Sequence, residues 1–494
     1  MRIISLFILF PLLGAFAASF FAFGEENKTK IRASNIIAGF VTGGVLVLSL
    51  LMIGRHGIYN LGGWSPLLGI TLVFDGFASS VLAVTSFVVF MCTVFSFRYI
   101  ASYNSAGKFY TLLLLMVAGI NGVLLTGDIF NLFIFLEIAS VSSYALVAFG
   151  TSKHELEASF KYLVQSSVGA AFILLGIAFV YSYTSNLNMA HIASVVRQEG
   201  FSAEIYLALA FFTAGFSIKA ALIPFHAWLP DAHPAAPAPV SAMLSGVLIK
   251  TVGIYALVRL GYSMLGMTQG ALPQLLIYSG VFSMIFGALL ALGQWDFKRL
   301  LAFHSISQMG YIALGFGLAT PLGITAGLFH LMNHSVFKSL LFLNAGAVYF
   351  RTGIRDLRRM KGIAKLMPVS GSTSMIASLS ISGIPPFNGF WSKLLIIIAC
   401  VQAGHPVLAF WAVLGSIITL SSFMKVQKNG FLGETEEKKV KEAPLSMTTP
   451  MIALAFLCVF MGLMLLPGPR EILFDSAAAV LLESGEYIEM VLGK

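Results

Sequence analysis

Glu137, Lys219, Lys250, Lys338 and Lys393 lie inside long apolar stretches, where an ionised side chain needs a partner, water or a function to offset its desolvation. A second pattern runs through GLFHLMNHSVFKSLLF, where His330, His334 and Lys338 stand at i, i+4 and i+8. That spacing sets three titratable groups in one stripe on one helical face. Carboxylate, ammonium and imidazole are all proton carriers, and groups one turn apart can hand protons on through water. At 1.5 Å per helical residue, Glu137 lies roughly 13 Å beyond Asp128 and Lys250 roughly 16 Å beyond Pro239, both near the middle of a ~30 Å hydrocarbon core. Lys219 precedes Pro224 and Lys393 follows Pro386, so each sits beside a break in its helix. Plainer roles exist for each group. A lysine can snorkel to an interface, Glu137 can be a structural counter-ion, and the histidines can be interhelical hydrogen-bonders. HxxxH is also a metal-ligand spacing, and paired histidines can hold haem, but no third ligand or carboxylate is evident nearby. Five midplane charges without any function is the hardest of these readings to sustain. No metal or cofactor is expected.

The elements that hold these groups follow from composition. Of 494 residues, 58% are hydrophobic and 10% charged, against about 25% charged in an ordinary soluble domain. Mean hydropathy is +0.89. So few charges could not cover the surface of soluble domains, and the chain reads as an all-α integral membrane protein. Cys92, Cys400 and Cys458 lie far apart in apolar runs, with no CxxC for a cluster or zinc. The apolar run from Ile3 to Phe23 is longer than the ~7–15 residues of a signal-peptide core, so a retained first span is expected. About fourteen spans can be read: 3–23, 33–53, 73–97, 109–125, 129–150, 159–182, 205–228, 239–258, 272–293, 300–318, 322–349, 368–402, 407–424 and 447–467. Spans seven and twelve are broken, by PFHAWLPDAHPAAPAPV and by GIPPFNG.

Of the thirty Lys and Arg, 20 fall in loops that follow odd-numbered spans and six on the opposite side, counting Arg259 with the latter and Lys298 with the former. The remaining four, Lys219, Lys250, Lys338 and Lys393, are inside spans; among the acids only Glu137 is placed well inside one. The positive-inside rule then puts the odd loops in the cytoplasm and both termini outside. The net charge of +9 belongs to this asymmetry, not to nucleic-acid binding. The two broken spans are five apart, an odd number. Two five-span units, spans 4–8 and 9–13, would therefore be inverted repeats, each with its fourth helix broken beside a lysine. This divides one membrane domain, 1–494, into a first repeat over 109–258, a second over 272–424, and a linker, last span and short tail over 425–494. No residue-by-residue repeat is evident.

At these residues the chain resembles the proton-translocating antiporter-like membrane subunits: the D-type chain of Mrp cation/proton antiporters, the large antiporter-like subunits of respiratory complex I, and their relatives in membrane-bound hydrogenases. The segments that carry the resemblance are GDIFNLFIFLEIASVSSYALVAF, GFSIKAALIPFHAWLPDAHPAAPAPVSAMLSGVLIKTVGIYALVR, DFKRLLAFHSISQMGY and GLFHLMNHSVFKSLLFL followed by ISGIPPFNGFWSK, over roughly residues 70 to 425. The resemblance implies fourteen spans, inverted repeats, and a Glu137–Lys219 pair feeding a path through Lys250, His330, His334 and Lys338 to Lys393. GGWSPLLGITLVFDGFAS looks most like the Mrp D type. The expectation is a proton-translocating subunit of a larger complex in the cell membrane, with other membrane subunits and the bilayer as partners. No nucleotide-binding loop, flavin or cluster motif or sizeable soluble domain is evident, so the driving force must come from partner subunits or a gradient. Two rivals are a self-sufficient secondary transporter of a small organic solute and a scaffold whose pathway is dead. The first would need a polar cavity matched to its solute, and the second is weakened by the complete charge set.

Overall fold

The computed structural model describes residues 2–23, 27–103, 106–433 and 440–493; Lys438, Lys439 and Lys494 of the basic count lie outside them. Among the described residues, eleven helices are long and apolar enough to cross a membrane. In chain order, these begin with α1 (Arg2–Ser19), α2 (Lys28–Met52) and α3 (Gly76–Tyr99). Between α2 and α3 the chain forms an antiparallel hairpin that the sequence reading missed, β1 (Gly57–Asn60) on β2 (Thr71–Phe74). Then come α4 (Ala106–Leu125), α5 (Ile129–Val147) and α6 (Lys153–Thr184). The short helix α7 (Met189–Glu199) follows, then α8 (Ala203–Ala220), the short α9 (Leu229–Ala235) and α10 (Ala238–Met264). The last spanning candidate before the histidine stripe is α11 (Ala271–Leu292).

Next are α12 (Phe297–Gly317), α13 (Pro321–Thr352), and the halves of a broken helix, α14 (Pro368–Ser382) and α15 (Asn388–Gln402). Most of α12 and α13 is buried, which is why they can carry His304, Gln308, His330, His334 and Lys338. In lipid, polar side chains are tolerated where they face protein or a wet cavity. The remaining spanning candidates are α16 (Pro406–Phe431) and α17 (Leu445–Leu465). Two short helices end the chain, α18 (Ser476–Leu482) and α19 (Ser484–Leu492).

The helices start where side chains satisfy their first N–H groups. Asp128 accepts from Asn131 N, Asp296 from Arg299 N, Ser152 from Glu155 N and Thr320 from Gly323 N. These caps come in matched pairs. Asp128 bridges Asn188, the cap of α7; Asp296 bridges Asp356, the cap of the turn Leu357–Met360. The partners in each pair stand 168 residues apart: 128 and 296, 152 and 320, 188 and 356. The enclosed α6 and α13 are both 32 residues long. Hydrogen bonds from Arg358 hold the Asp356 carboxyl below the usual carboxylate range.

Residues from several of the basic loops meet at one face of the molecule. There Lys161 and Arg299 both pair with Asp231, Arg355 donates to Pro234 O, and Lys425 donates to Leu292 O and Gln294 O. At the same face the Glu442 carboxylate accepts from Val369 N, Ser370 N and Ser370 Oγ, capping α14 from a distant segment.

Two placements differ from the sequence reading. Asp75 and Arg259 are not span-end residues facing water: both are buried, and they form a bidentate pair at 2.6 and 2.8 Å. Asp75 also caps α3 through Ala78 N, and the Arg259 guanidinium lies within 5.5 Å of the rings of Phe77, Tyr255 and Tyr487. Arg259 sits inside α10 because that helix continues to Met264, beyond the expected boundary at 258. Lys298 is the other case. It is 2% exposed and donates to Pro234 O and Ala236 O, two carbonyls of the irregular chain around α9. Moving one residue off each side leaves the basic asymmetry intact. Asp75→Ala should lower stability by about 3–5 kcal/mol, since it strands a buried guanidinium; denaturant unfolding in detergent checks this.

Candidate functional site

The α8 helix stops at Ala220, where Ala221 takes a left-handed conformation with φ of 54°. The carbonyl of Ile218, which accepts from Ala221 N, also receives the indole N–H of Trp228. Lys219, the residue before this end, is 3% exposed. Its ammonium donates to Ser166 Oγ at 2.6 Å, Ser140 Oγ at 3.0 Å and Glu137 Oε1 at 3.4 Å. Glu137 and Lys219 are therefore brought together across α5 and α8. The contact is uneven: the lysine is enclosed, whereas the Glu137 side chain is 32% exposed on the flank of the chain.

Lys250 stands on α10, in a stretch wound largely as π-helix from Leu244 to Tyr255. A π-turn leaves carbonyls out of the i→i−4 ladder. The Lys250 ammonium takes two of them, Ser245 O at 2.5 Å and Gly246 O at 2.8 Å. The lysine is 1% exposed, and no carboxylate pairs with it among the described residues. Less than a turn further along, Gly253 allows α10 to lie against Ala220; a Cβ there would press on the Ala220 backbone. This close approach brings the two lysine-bearing segments side by side.

On α13 the stripe is realised as spaced. The His330 and His334 rings lie nearly parallel with centroids 6.5 Å apart. His330 bonds Ser392 Oγ through Nδ1 at 2.9 Å and Gln308 Oε1 through Nε2 at 3.1 Å. Ser392 is the neighbour of Lys393, so the stripe reaches the second break. There α14 ends at Gly383, with φ of 81°, and the Lys393 ammonium takes the freed carbonyl of Ile381 at 2.8 Å. Lys393 also lies 4.7 Å from the centroid of the Tyr311 ring, which packs on His330. Lys338 lies over Phe342 at 5.7 Å, and Lys250 is within coulombic range of both His334 and Lys338. Both ring nitrogens of His334 and the Lys338 ammonium are buried without a hydrogen-bond partner among the described residues. Buried polar groups of this kind need water.

The sequence reading missed further groups along this line. Both ring nitrogens of His304, on α12, are buried and without a hydrogen-bond partner among the described residues, as are those of His233, whose ring lies 6.0 Å from the Phe342 ring that Lys338 also approaches. Gln308 holds His330 from the same helix as His304, at i+4 to it. That spacing stood in DFKRLLAFHSISQMGY as a signal. His233 lay in the proline-rich segment, where it looked like part of a loop.

A helical chain with this many membrane-crossing candidates, and with buried lysines and histidines beside two helix breaks, is a polytopic membrane protein. Residues 126–419 match the model of the NADH:quinone oxidoreductase/Mrp antiporter transmembrane family, and the chain belongs to that family. It is 35% identical to the N-type chain of an NADH-quinone oxidoreductase from Desulforudis audaxviator, over 93% of this chain and 95% of the relative. It is 33% identical to the D-type chain of a Na(+)/H(+) antiporter from Alkalihalophilus pseudofirmus, over 98% and 99%. Among solved structures, a chain of the Mrp complex from Dietzia sp. superposes with a TM-score of 0.90 at 29% identity, and a chain of an archaeal membrane-bound sulfane sulfur reductase with 0.90 at 31%; both cover 100% of each chain.

Proposed function

We propose that this chain is a proton-translocating subunit of a multi-subunit complex in the cell membrane, its proton movement coupled to cation antiport or to redox chemistry in partner subunits. The observation that carries this reading is the continuity of buried carriers from Glu137 and Lys219, through Lys250 and the His330, His334 and Lys338 stripe, to Lys393. Relatives named as subunits of antiporters and quinone oxidoreductases support it over a self-sufficient solute transporter. Adding α12, α13 and the broken pair α14–α15 to the eleven apolar helices supports the reading of fourteen spans. The constant offset between the cap pairs supports two inverted repeats, over 109–258 and 272–424, with 425–494 as linker, last span and tail. The gathering of basic residues at one face supports placing that face in the cytoplasm and both termini outside.

The four lysines of the path, Lys219, Lys250, Lys338 and Lys393, outnumber its single carboxylate, an arrangement that repels alkali cations, which want clustered oxygen ligands. The expected result, with the whole complex in sealed vesicles, is that the Glu137–Lys219–Lys250 segment carries protons and binds no sodium. Anomalous scattering or cryo-electron microscopy density for a cation among those three residues would refute it.

A further inference from the structure

Along the seam between α14 and α16, two apolar cavities lie end to end on the flank of the molecule. One, of about 230 Å³, is walled by Met375, Leu379, Leu420, Phe423 and Leu432, with Lys428 at its basic-face end. The other, of about 220 Å³, shares Ser382 and Leu420 with the first and continues past Ile417 and Val413 to Leu394, Ile397 and Lys393. Lys428 and Val413 are 15 residues apart on α16, so the line is about 22 Å long. Over that length, cavities of this volume make a furrow about 5 Å wide, half the width of a helix with its side chains. At the basic-face end stands a second lysine. Leu432 O accepts from Gly362 N, which sets Lys361, the preceding residue, beside the same mouth. Lys161, Arg299 and Arg358 at the basic face have carboxylate partners. Lys361 and Lys428 are exposed, and neither forms an ion pair among the described residues.

We infer that this seam binds one anionic phospholipid of the basic-face leaflet, its phosphate held between Lys361 and Lys428 and one acyl tail laid along the furrow toward the second helix break. Width excludes a helix of a partner subunit. Water needs two to four polar partners, and the serines of the seam are already engaged: Ser382 Oγ donates to Ser378 O, and Ser378 Oγ accepts from Gln427 Nε2. A hydrocarbon chain needs no hydrogen bond and gains by covering leucine, isoleucine and phenylalanine side chains. The furrow starts where a phosphate sits, at the edge of the hydrocarbon, and runs through the ~15 Å of one leaflet, half of the ~30 Å core. Charge decides the headgroup, because two unpaired lysines from separate segments favour a net negative lipid over a zwitterionic one. The far end meets Lys393, whose ammonium is already engaged by Ile381 O and the Tyr311 ring. None of this rests on the proposed proton movement.

The test is photolabelling of the whole complex in phosphatidylcholine bilayers that contain a minor fraction of phosphatidylglycerol carrying a diazirine in mid-tail. Peptide mass spectrometry should find labels at Leu379, Leu420 and Ile417 well above those at Phe282 and Phe286, which are exposed on the flank of α11. The same diazirine tail on a phosphatidylcholine headgroup should label the seam no more than that flank. Lys361→Glu combined with Lys428→Glu should lower phosphatidylglycerol labelling in the seam by at least tenfold, since each lysine lost costs about fivefold, and should leave Phe282 and Phe286 unchanged. Equal labelling of the seam and the α11 flank by phosphatidylglycerol overturns the site, because it describes bulk lipid. Equal labelling of the seam by both headgroups, or an unchanged signal in the double variant, overturns recognition by the two lysines. A seam left bare while the α11 flank labels means that a partner subunit covers it, and overturns the inference as well. Labelling needs no proton movement, so a seam that labels in a complex that moves no protons leaves the lipid site standing and removes the proposed function instead.

Discussion

Lys250→Ala should reduce proton translocation by the assembled complex by about a hundredfold, the scale of a lost acid–base group. Lys250→Arg should do nearly the same. The lysine ammonium is held by two backbone carbonyls in a π-wound stretch, and nothing acidic pairs with it among the described residues. An arginine there preserves the positive charge but does not release a proton, because a guanidinium stays charged under all working conditions. Comparing the two variants separates proton exchange from a mere need for charge. Assembly should survive both, which co-purification of the partner subunits would show. Translocation by the arginine variant at the parent rate would take Lys250 out of the proton path and leave it a fixed electrostatic element.

Glu137→Gln should slow translocation by about tenfold or more while moving the unfolding midpoint little. The structure explains the asymmetry. Lys219 is held chiefly by Ser166 and Ser140, with the carboxylate a longer contact at 3.4 Å, so removing its charge leaves the lysine anchored. What the substitution removes is the opposite charge that favours an ammonium over an amine. The partly exposed carboxylate can be drawn away from the enclosed lysine, and that separation would let Lys219 pass its proton toward Lys250. Glu137→Asp, one methylene shorter, should retain part of the activity. Parent-level transport in the glutamine variant would reduce Glu137 to a counter-ion. Proton-flux measurements with a pH-sensitive dye in reconstituted vesicles decide between these outcomes.

Much of this was legible in the residues because the membrane makes charge conspicuous. A single acid nine residues past a cap, and lysines beside prolines, stand out against apolar runs. Asp75 and Arg259 did not stand out because charges near span ends are ordinary, and their pairing joins segments 184 residues apart. Lys298 was hidden by its neighbours, since Asp296, Lys298 and Arg299 together read as a wet loop. The π-wound stretch around Lys250 has no local sequence signal; it lies where Gly246 and Gly253 let the helix press on α13 and Ala220. The repeat was invisible residue by residue because its fixed points are hydrogen-bonding roles. Aspartate answers aspartate, serine answers threonine, and asparagine answers aspartate at the caps, while the side chains between them serve different neighbours.

The final helices are more than an appendage. Tyr487 of α19 lies against Arg259, the Leu473 carbonyl accepts from Ser80, and the Val480 carbonyl accepts from Ser263. For anyone engineering this protein, the segment from Leu473 to Tyr487 has to be kept. A purification tag or fluorescent fusion should be appended beyond it on a flexible spacer. Trimming the gene after the codon for Leu465, the end of the last apolar helix, would take a ring from the Asp75–Arg259 pair and let water reach the most deeply enclosed ion pair on that side.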